Sequence, residues 1–495
     1  MLLAFFYLLS RLVGLWRDRV LAAHFGASDL LDVYYLSFNI PDLVFNLLIG
    51  GAISAAFIPI FIDYQSKSGK KAWHLASNFL NSFAIIVVGI SALLALVAPS
   101  LISLIAPGFG GPKKDLTILF TRVMLVSPFI MGVSLVLGSL LQVFHRFLAF
   151  AAAPIMYNLG IIVGAIWLVP KFGPLGLAEG VVLGALLHLL VQLPSVWKVG
   201  FKWQAVLNWK DEGLRRVLKL TAPRALGLAS IQVYAIIQGA LATTIGVGTV
   251  AVFNLANNLQ FLPISLVGIS VAVASFPTLS REALQEEKKD FVDRVERHIK
   301  QVVFLTVPLS FLCFFLRHEI VRIILYAGNF SIEDALLTAK ILGFFMLGVT
   351  SQSLVPVLSR SFYALKNTIT PVLISIASIL ANTGLAFYLI RVQHWDASGL
   401  ALAFSLAGIL NAALLLFYLK KYLKIFNLAV IVNYLSKIFL AAAIMFLGLS
   451  LVAGRNFLGG VGLINDLWRV AIYGIVAALT FLICSAMLRI RIVLK

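Results

Sequence analysis

Arg11, Arg17, Asp18 and Arg19 stand inside the apolar run that opens the chain. A charged side chain at the centre of a bilayer costs roughly 2.5–3.5 kcal/mol even on the lower scales, so it turns to a bundle interior or a wet cavity. Three guanidinium groups against one carboxylate select an anionic guest. Guanidinium grips phosphate with a two-pronged fork and keeps its charge at any physiological pH. Arg11 and Asp18 are seven residues apart, two helical turns, and share a face with Arg17 beside it. Arg17 and Asp18 partly neutralise one another, and the surplus leaves a cationic wall. Snorkelling is the competing reading: Arg17 and Arg19 reach the interface if the first helix is short or tilted. It applies best to Arg19.

Further polar positions join this set. Arg224 follows Pro223 at the start of a later span, where it is either a second cationic group or an interfacial anchor. Asp32 and Asp42 flank the start of the second span, and Asp32 reads as an N-cap after Ser28-Asp29 or as a cavity residue. Asn39, Asp42 and Asn46 recur at helical spacing as one polar face. Asn254, Asn257, Asn258 and Gln260 form a matching cluster, with interhelical hydrogen bonding as the alternative for both. The candidate substrate-binding residues are therefore Arg11, Arg17, Asp18, Asp32, Asn46, Arg224 and Asn258. Catalytic machinery is not expected. Gly69-Lys70-Lys71 lacks the partner glycine and hydroxyl of a phosphate loop, and the seven histidines form no His-Glu-x-x-His. No Cys-x-x-Cys occurs and no paired carboxylates suggest hydrolysis. The expectation is a protein that is not an enzyme and has no metal and no cofactor.

The elements that position these groups must be membrane helices. The chain is 61% hydrophobic and 12% charged over 495 residues, more apolar surface than a soluble domain can hide. A net charge of +19 would suggest nucleic acid in a soluble protein. Here the basic residues concentrate in short loops between apolar runs, so topology and anionic phospholipid headgroups account for them and no nucleic acid is expected. Cys313 and Cys484 read as small packing residues. The N-terminus lacks a basic n-region and a small-residue cleavage site, so it reads as a retained first helix, with a few residues before Met1 absent.

A span needs about twenty apolar residues. Punctuation by Gly, Pro and charge predicts about 14 spans, centred near residues 14, 48, 90, 130, 160, 185, 228, 265, 305, 346, 380, 408, 440 and 477. Connections after even-numbered spans carry most of the basic residues, Lys67, Lys70, Lys71, Arg215, Arg216, Lys288, Lys289, Lys420 and Lys421 among them. The other side has Lys113, Lys114, Lys171, Arg317, Arg322, Arg391 and Arg455. Both termini are therefore expected to be cytoplasmic. Trp73, Trp167, Trp197, Trp203, Trp209, Trp395 and Trp468 read as interfacial anchors. The polar stretch 281–300, with Leu284, Phe291, Val292, Val295 and Ile299 at helical spacing, is either a surface helix or an extension of the ninth span.

The chain also repeats itself. Gly50–Pro59 echoes Gly268–Pro277, and Ser10–Leu15 echoes Pro223–Leu228, at an offset of about 218 residues. Phe144–Pro154 echoes Phe362–Pro371, and Gly176-Leu177-Ala178 echoes Gly399-Leu400-Ala401. The order predicts an all-α polytopic membrane protein with two parallel six-helix halves, 1–205 and 206–425, and two appended helices in 426–495. Parallel repeats commonly hold a substrate between them and work by rocking.

Several stretches are similar to one family. Ser10-Arg11-x-x-Gly14-x-x-Arg17-Asp18, Phe25-Gly26-Ala27, Pro41-Asp42-Leu43 and Gly51–Pro59 resemble the N-terminal signature of the MurJ/MviN lipid II flippases. Ala106-Pro107-Gly108-Phe109, Pro223-Arg224-x-Leu226-Gly227 and Phe362–Val372 look like later motifs of that family. The resemblance implies a fold of the multidrug/oligosaccharidyl-lipid/polysaccharide exporter superfamily in the bacterial inner membrane. It implies a flippase carrying undecaprenyl-diphosphate-linked peptidoglycan precursor from the inner to the outer leaflet by alternating access. Arg11, Arg17 and Asp18 would then meet the diphosphate and sugars, Asp32 would line the same cavity, and the last two spans would hold the lipid tail. Expected partners are this anionic lipid, anionic phospholipids and cell-wall synthesis enzymes, around a monomer. Two departures stand out. Asn46 and Asn257-Asn258 occupy stretches where the family often has arginine, which leaves another lipid-linked oligosaccharide open. The seventh and eleventh spans offer Gln232, Gln238, Asn382 and Thr383 but no carboxylate for sodium. A multidrug exporter of the same fold and a non-transporting scaffold are the rival readings.

Overall fold

A computed structural model of the chain describes residues 2–47, 57–453 and 462–490, without the side chains of 2–4, 220 and 222–231. Among the described residues every regular element is helical. Packing divides the chain into two compact units, Met1–Ala251 with Gly328–Phe330, and Val252–Ala327 with Ser331–Lys495.

The first unit contains α1 (Leu2–Phe25), α2 (Asp29–Ser37), α3 (Asn39–Phe45), α4 (Ile58–Lys67), α5 (Gly69–Ile105), α6 (Gly111–Met124), α7 (Ser127–Val143) and α8 (Phe147–Val163). It continues through α9 (Val169–Phe172), α10 (Gly176–Leu190), α11 (Leu193–Lys198) and α12 (Glu212–Thr243). Local chemistry sets several starts. Ser28 caps α2 by accepting from Leu31 N, so the cap is Ser28 itself and Asp32 lies inside the helix. Asp211 caps α12 by accepting from Leu214 N.

Helices α8 and α10 are the fifth and sixth expected spans, and they pack antiparallel through glycine. A Cβ on Gly180 would stand 2.6 Å from Gly164 Cα, and one on Gly160 would stand 2.3 Å from Gly184 Cα. Small residues let two backbones touch where no hydrophobic force drives helices together in lipid. Gly180→Ala therefore forces backbone apart and should cost about 1–3 kcal/mol. Its melting temperature in detergent is the check. Gly89→Ala, where a Cβ meets nothing within 4 Å, is the control that should leave melting unchanged.

Between α11 and α12 the chain forms neither helix nor strand and is strapped to α5. Asn81 Nδ2 donates to the carbonyls of Gln204 and Val206, both at 2.8 Å, and Asn78 exchanges two bonds with Asn208. Side-chain amides replace the backbone partners that a helix or sheet would supply. Trp73 differs from the interfacial role expected of it. Its ring sits among Phe61, Phe144 and Phe201 at 5.5–5.6 Å, inside an aromatic cluster. The other six are exposed as anchors should be.

The second unit takes in most of α13 (Thr249–Pro263), then α14 (Ser270–Glu282), α15 (Lys289–Phe315), α16 (Arg317–Leu325), α17 (Ile332–Met346), α18 (Val349–Ala364) and α19 (Ile369–Phe387). It ends with α20 (Ser398–Tyr422), α21 (Leu428–Ala453) and α22 (Leu463–Met487). Its core is built on α15. Phe291, Val292, Val295, Ile299, Val302, Val303 and Val307 recur every three to four residues and are buried against α18 and α21. Within the stretch 281–300, residues 289–300 thus extend the ninth span, while 281–282 close α14 and 283–288 form the turn between the two helices. Leu284 alone of the expected apolar face is exposed, at 71%, in the turn before α15. Cys313 and Cys484 are unbridged within this packing.

The appended helix α22 is tied to α16 by charge. Asp466 is 2% exposed and receives Arg322 through Nε at 2.8 Å and Nη2 at 2.7 Å. That bidentate hydrogen bonding holds the Arg322 guanidinium above its ordinary range. Asp466→Ala removes both short bonds and leaves Arg322 only the longer 3.4 Å contact with Glu319, and should cost about 1.5–3 kcal/mol. It should lower the melting temperature while a lipid-facing change such as Leu451→Ala does not.

Nine segments among the described residues are long and apolar enough to cross a membrane, or ten if α17 and α18, bent by 45°, form one span. One of the nine, Phe147–Lys198, contains both α8 and α10. The expected count of fourteen is consistent with this. The centre of the expected second span, and the Gly50–Ala56 part of its repeat, lie outside the described residues.

Candidate substrate-binding site

The charges of α1 are held by polar groups that sequence alone did not single out. Arg17 donates through Nε (3.0 Å) and Nη2 (2.7 Å) to one oxygen of Asp18. Its Nη1 donates to Asn158 Oδ1 at 3.0 Å. Asn158 is itself buried in α8 and returns its amide to the Pro154 carbonyl at 3.0 Å. A guanidinium has five N–H groups. These three bonds leave two without a partner among the described residues. Tyr34 and Tyr35, stacked edge-on at 5.2 Å, lie within electrostatic range of the pair. The Tyr35 hydroxyl is buried with no hydrogen-bond partner among the described residues. Asn158 carried a legible signal, an amide four residues after a proline in an apolar span. The tyrosines carried none beyond their own chemistry.

Arg11 lies two turns before Asp18 and is half-buried. Its Nη2 donates to Tyr7 Oη at 2.9 Å, with the guanidinium 5.2 Å from the Tyr7 ring centroid. This pairing at i, i+4 orients Arg11 along its own helix. Asn46 donates to Gln232 Oε1 at 3.0 Å, joining the end of α3 to α12. That is the interhelical bond weighed for this polar face, and Gln232 Nε2 adds a longer one to the Asn39 carbonyl.

Asp32 is placed differently from the rest. It is wholly buried, and both oxygens are filled. Oδ2 accepts from Lys113 Nζ at 2.9 Å and Gly248 N at 2.8 Å, while Oδ1 accepts from Ala251 N at 2.9 Å. Lys113 also meets Asp29 at 2.5 Å and sits 4.0 Å from the Phe109 ring centroid. Gly248 has φ +75°, and a Cβ there would stand 2.3 Å from the Ala27 carbonyl, so only glycine brings this N–H to the carboxylate. Asp32 thus caps the start of α13 in the manner of an N-cap supplied from another helix. Asn258 lies on α13 in the second unit, half-buried, next to Asn257, which accepts from Gln260. Arg224 belongs to α12, and its side chain lies outside the described residues.

The arrangement can hold an anion and offers little else. Arg17 has spare N–H donors beside a buried polar wall, and Arg11 and Arg19 keep α1 cationic overall. Among the described residues no group of three or more His, Cys, Asp or Glu could hold a metal.

The fold is that of a polytopic membrane transporter. It superposes on an inward-facing multidrug resistance MATE family transporter of the MOP superfamily with TM-score 0.67, at 16% identity over 83% of this chain and 94% of that one. Residues 21–465 match the family profile described as lipid II flippase MurJ, and the chain belongs to that family. A solved structure of lipid II flippase MurJ in an inward closed conformation gives TM-score 0.82, with 26% identity over 98% of both chains. A probable lipid II flippase MurJ of Buchnera aphidicola subsp. Acyrthosiphon pisum is 28% identical over 98% of this chain and 96% of its own. The lipid II flippase MurJ of Burkholderia cenocepacia is 28% identical over 84% and 82%. The profile begins just beyond Arg17 and Asp18, so these two residues stand on their geometry.

Proposed function

We propose that this protein moves lipid II, the undecaprenyl-diphosphate-linked peptidoglycan precursor, from the inner to the outer leaflet of the bacterial cytoplasmic membrane. Membership of the flippase family supports the substrate, and the half-satisfied Arg17 supports the chemistry by which it is held. The diphosphate takes the two spare N–H groups of Arg17, with Arg11 adding charge and Asp18 holding the fork in place. Asn46, Arg224 and Asn258 contribute polar lining. Residues 1–205 and 206–425 act as the two halves of an alternating-access cycle, and 426–495 carries the lipid tail. Desolvating a diphosphate is expensive, and a preformed guanidinium pair offsets part of that cost. The work is transport without bond cleavage, so no catalytic residue is assigned.

Both termini face the cytoplasm in this reading, because the lysine- and arginine-rich connections then lie inside. The protein works as a monomer among anionic phospholipids, close to the enzymes that polymerise its cargo. The decisive experiment is a leaflet-resolved assay of labelled lipid II in cells depleted of this protein. Accumulation in the inner leaflet, reversed by re-expression, is the expected result. An unchanged leaflet distribution would remove the flippase assignment and favour the scaffold. Accumulation of a different lipid-linked oligosaccharide would reassign the cargo.

A further inference from the structure

We propose that the second unit carries a separate site for an anionic phospholipid, with the phosphate on Arg317 and one acyl chain in an aromatic pocket beside it. The pocket has a volume of about 290 Å³ and lies where α17 and α18 part at their 45° bend. Phe311, Phe314, Met346, Leu347, Phe439 and Phe446 supply its apolar wall. Its two hydroxyls are already engaged: Ser310 donates to the Val307 carbonyl at 2.8 Å, and Thr350 Oγ1 is 3.2 Å from Thr306 Oγ1. The aromatic wall is braced by ring contacts, with Phe311 edge-on to Phe439 at 6.0 Å and Phe314 tilted against Phe446 at 6.1 Å. Leu347 and Phe439 are 50% and 45% exposed, so the pocket opens toward the bilayer.

Arg317 stands one turn beyond Phe314, at the start of α16. Its guanidinium carbon is 4.7 Å from the Phe314 ring centroid, and Nη1 donates to the Phe314 carbonyl at 2.7 Å. The stem lies across Gly343, one turn before Met346 and Leu347; a Cβ on that glycine would stand 3.0 Å from Arg317 Cδ. The cation therefore sits over two sides of the pocket. Among the described residues it has no ion-pair partner. The acid of its own helix, Glu319, is met by Arg322 and Arg469, and Asp466 is met by the same two arginines. Two arginines five residues apart on one short helix thus differ in kind: Arg322 is clamped by carboxylate, and Arg317 has donors to spare.

An unpaired guanidinium at the end of a span, over an apolar pocket open to lipid, matches one amphiphile. A free phosphate has no use for the aromatic wall, and a neutral lipid has none for the charge. Guanidinium binds the phosphodiester by charge-assisted bonds, most strongly where no choline cation of the same headgroup competes for it, and the acyl chain gains the buried area. The site lies at the end of the ninth span opposite Lys289, and so contacts the outer leaflet in the orientation proposed above.

Native mass spectrometry of the full-length protein with dioleoylphosphatidylglycerol, against dioleoylphosphatidylcholine, tests this. Wild type should retain phosphatidylglycerol selectively. Arg317→Gln should reduce the retained fraction about tenfold, the loss of one charge-assisted contact set, and Leu347→Trp should do the same by filling the pocket. Arg317→Gln retaining as much as wild type overturns the proposal. A wild-type readout removes dependence on variant folding: phosphatidylglycerol with a mid-chain diazirine should crosslink within 311–314, 346–350 and 439–446. Crosslinks confined to other segments overturn the proposal. So does displacement of the probe by undecaprenyl diphosphate, which would make the pocket part of the cargo path.

Discussion

Arg17→Ala is expected to abolish complementation of a strain depleted of the flippase while the variant still reaches the membrane at normal abundance. The substitution removes the three bonds to Asp18 and Asn158, and with them the two N–H groups left for a phosphate oxygen. Each charge-assisted bond is worth about 1.5–3 kcal/mol, so loss of the set is enough to end transport. Stability needs separate control, because Asp18 is 3% exposed and loses its guanidinium. The double variant Arg17→Ala/Asp18→Asn removes that buried charge. It should recover melting temperature and still fail to complement. Arg17→Lys should complement only in part, since a single ammonium cannot hold one Asp18 oxygen by two prongs and reach Asn158 as well. Full complementation by Arg17→Ala would take this residue out of the mechanism.

Asp32→Ala should act through folding. Three donors converge on this carboxylate: Lys113 Nζ, Gly248 N and Ala251 N. Deleting the acceptor leaves Lys113 to Asp29 alone and strands two buried backbone N–H groups, a loss of about 2–5 kcal/mol. The expected signature is a large fall in melting temperature and in membrane abundance. Asp32→Asn should lie between, because the amide keeps one acceptor oxygen but turns a donor toward a donor. Binding of lipid II by whatever folded protein remains should be little changed. Wild-type melting with lost lipid II binding would return Asp32 to the cavity role that family resemblance implies.

The two residues show where sequence reading works and where it stops. Arg17 was legible because a cation inside a hydrophobic run has few affordable environments, whatever the fold. Asp32 looked equally informative, yet its partners come from the first turn of α6 and from the start of α13, 81 to 219 residues away. No local spacing encodes that convergence. Asn46 shows the same limit, since its partner Gln232 is 186 residues distant. Trp73 shows it for an apolar group: a tryptophan near a span end reads as an anchor until Phe61, Phe144 and Phe201 surround it.

Periodicity and composition alone determined that the chain is helical and crosses a membrane many times. Those properties follow from free energies of transfer that act residue by residue. Gly176, Gly180 and Gly184 recur one turn apart in the chain, but only the fold brings Gly160 and Gly164 against them. Tertiary structure decided which charges are spent and which remain. Arg322 is consumed by Asp466 and Lys113 by two aspartates, while Arg17 and Arg317 keep donors in hand. Pairing depends on distances of about 3 Å between groups far apart in the chain, and only the packed fold sets those.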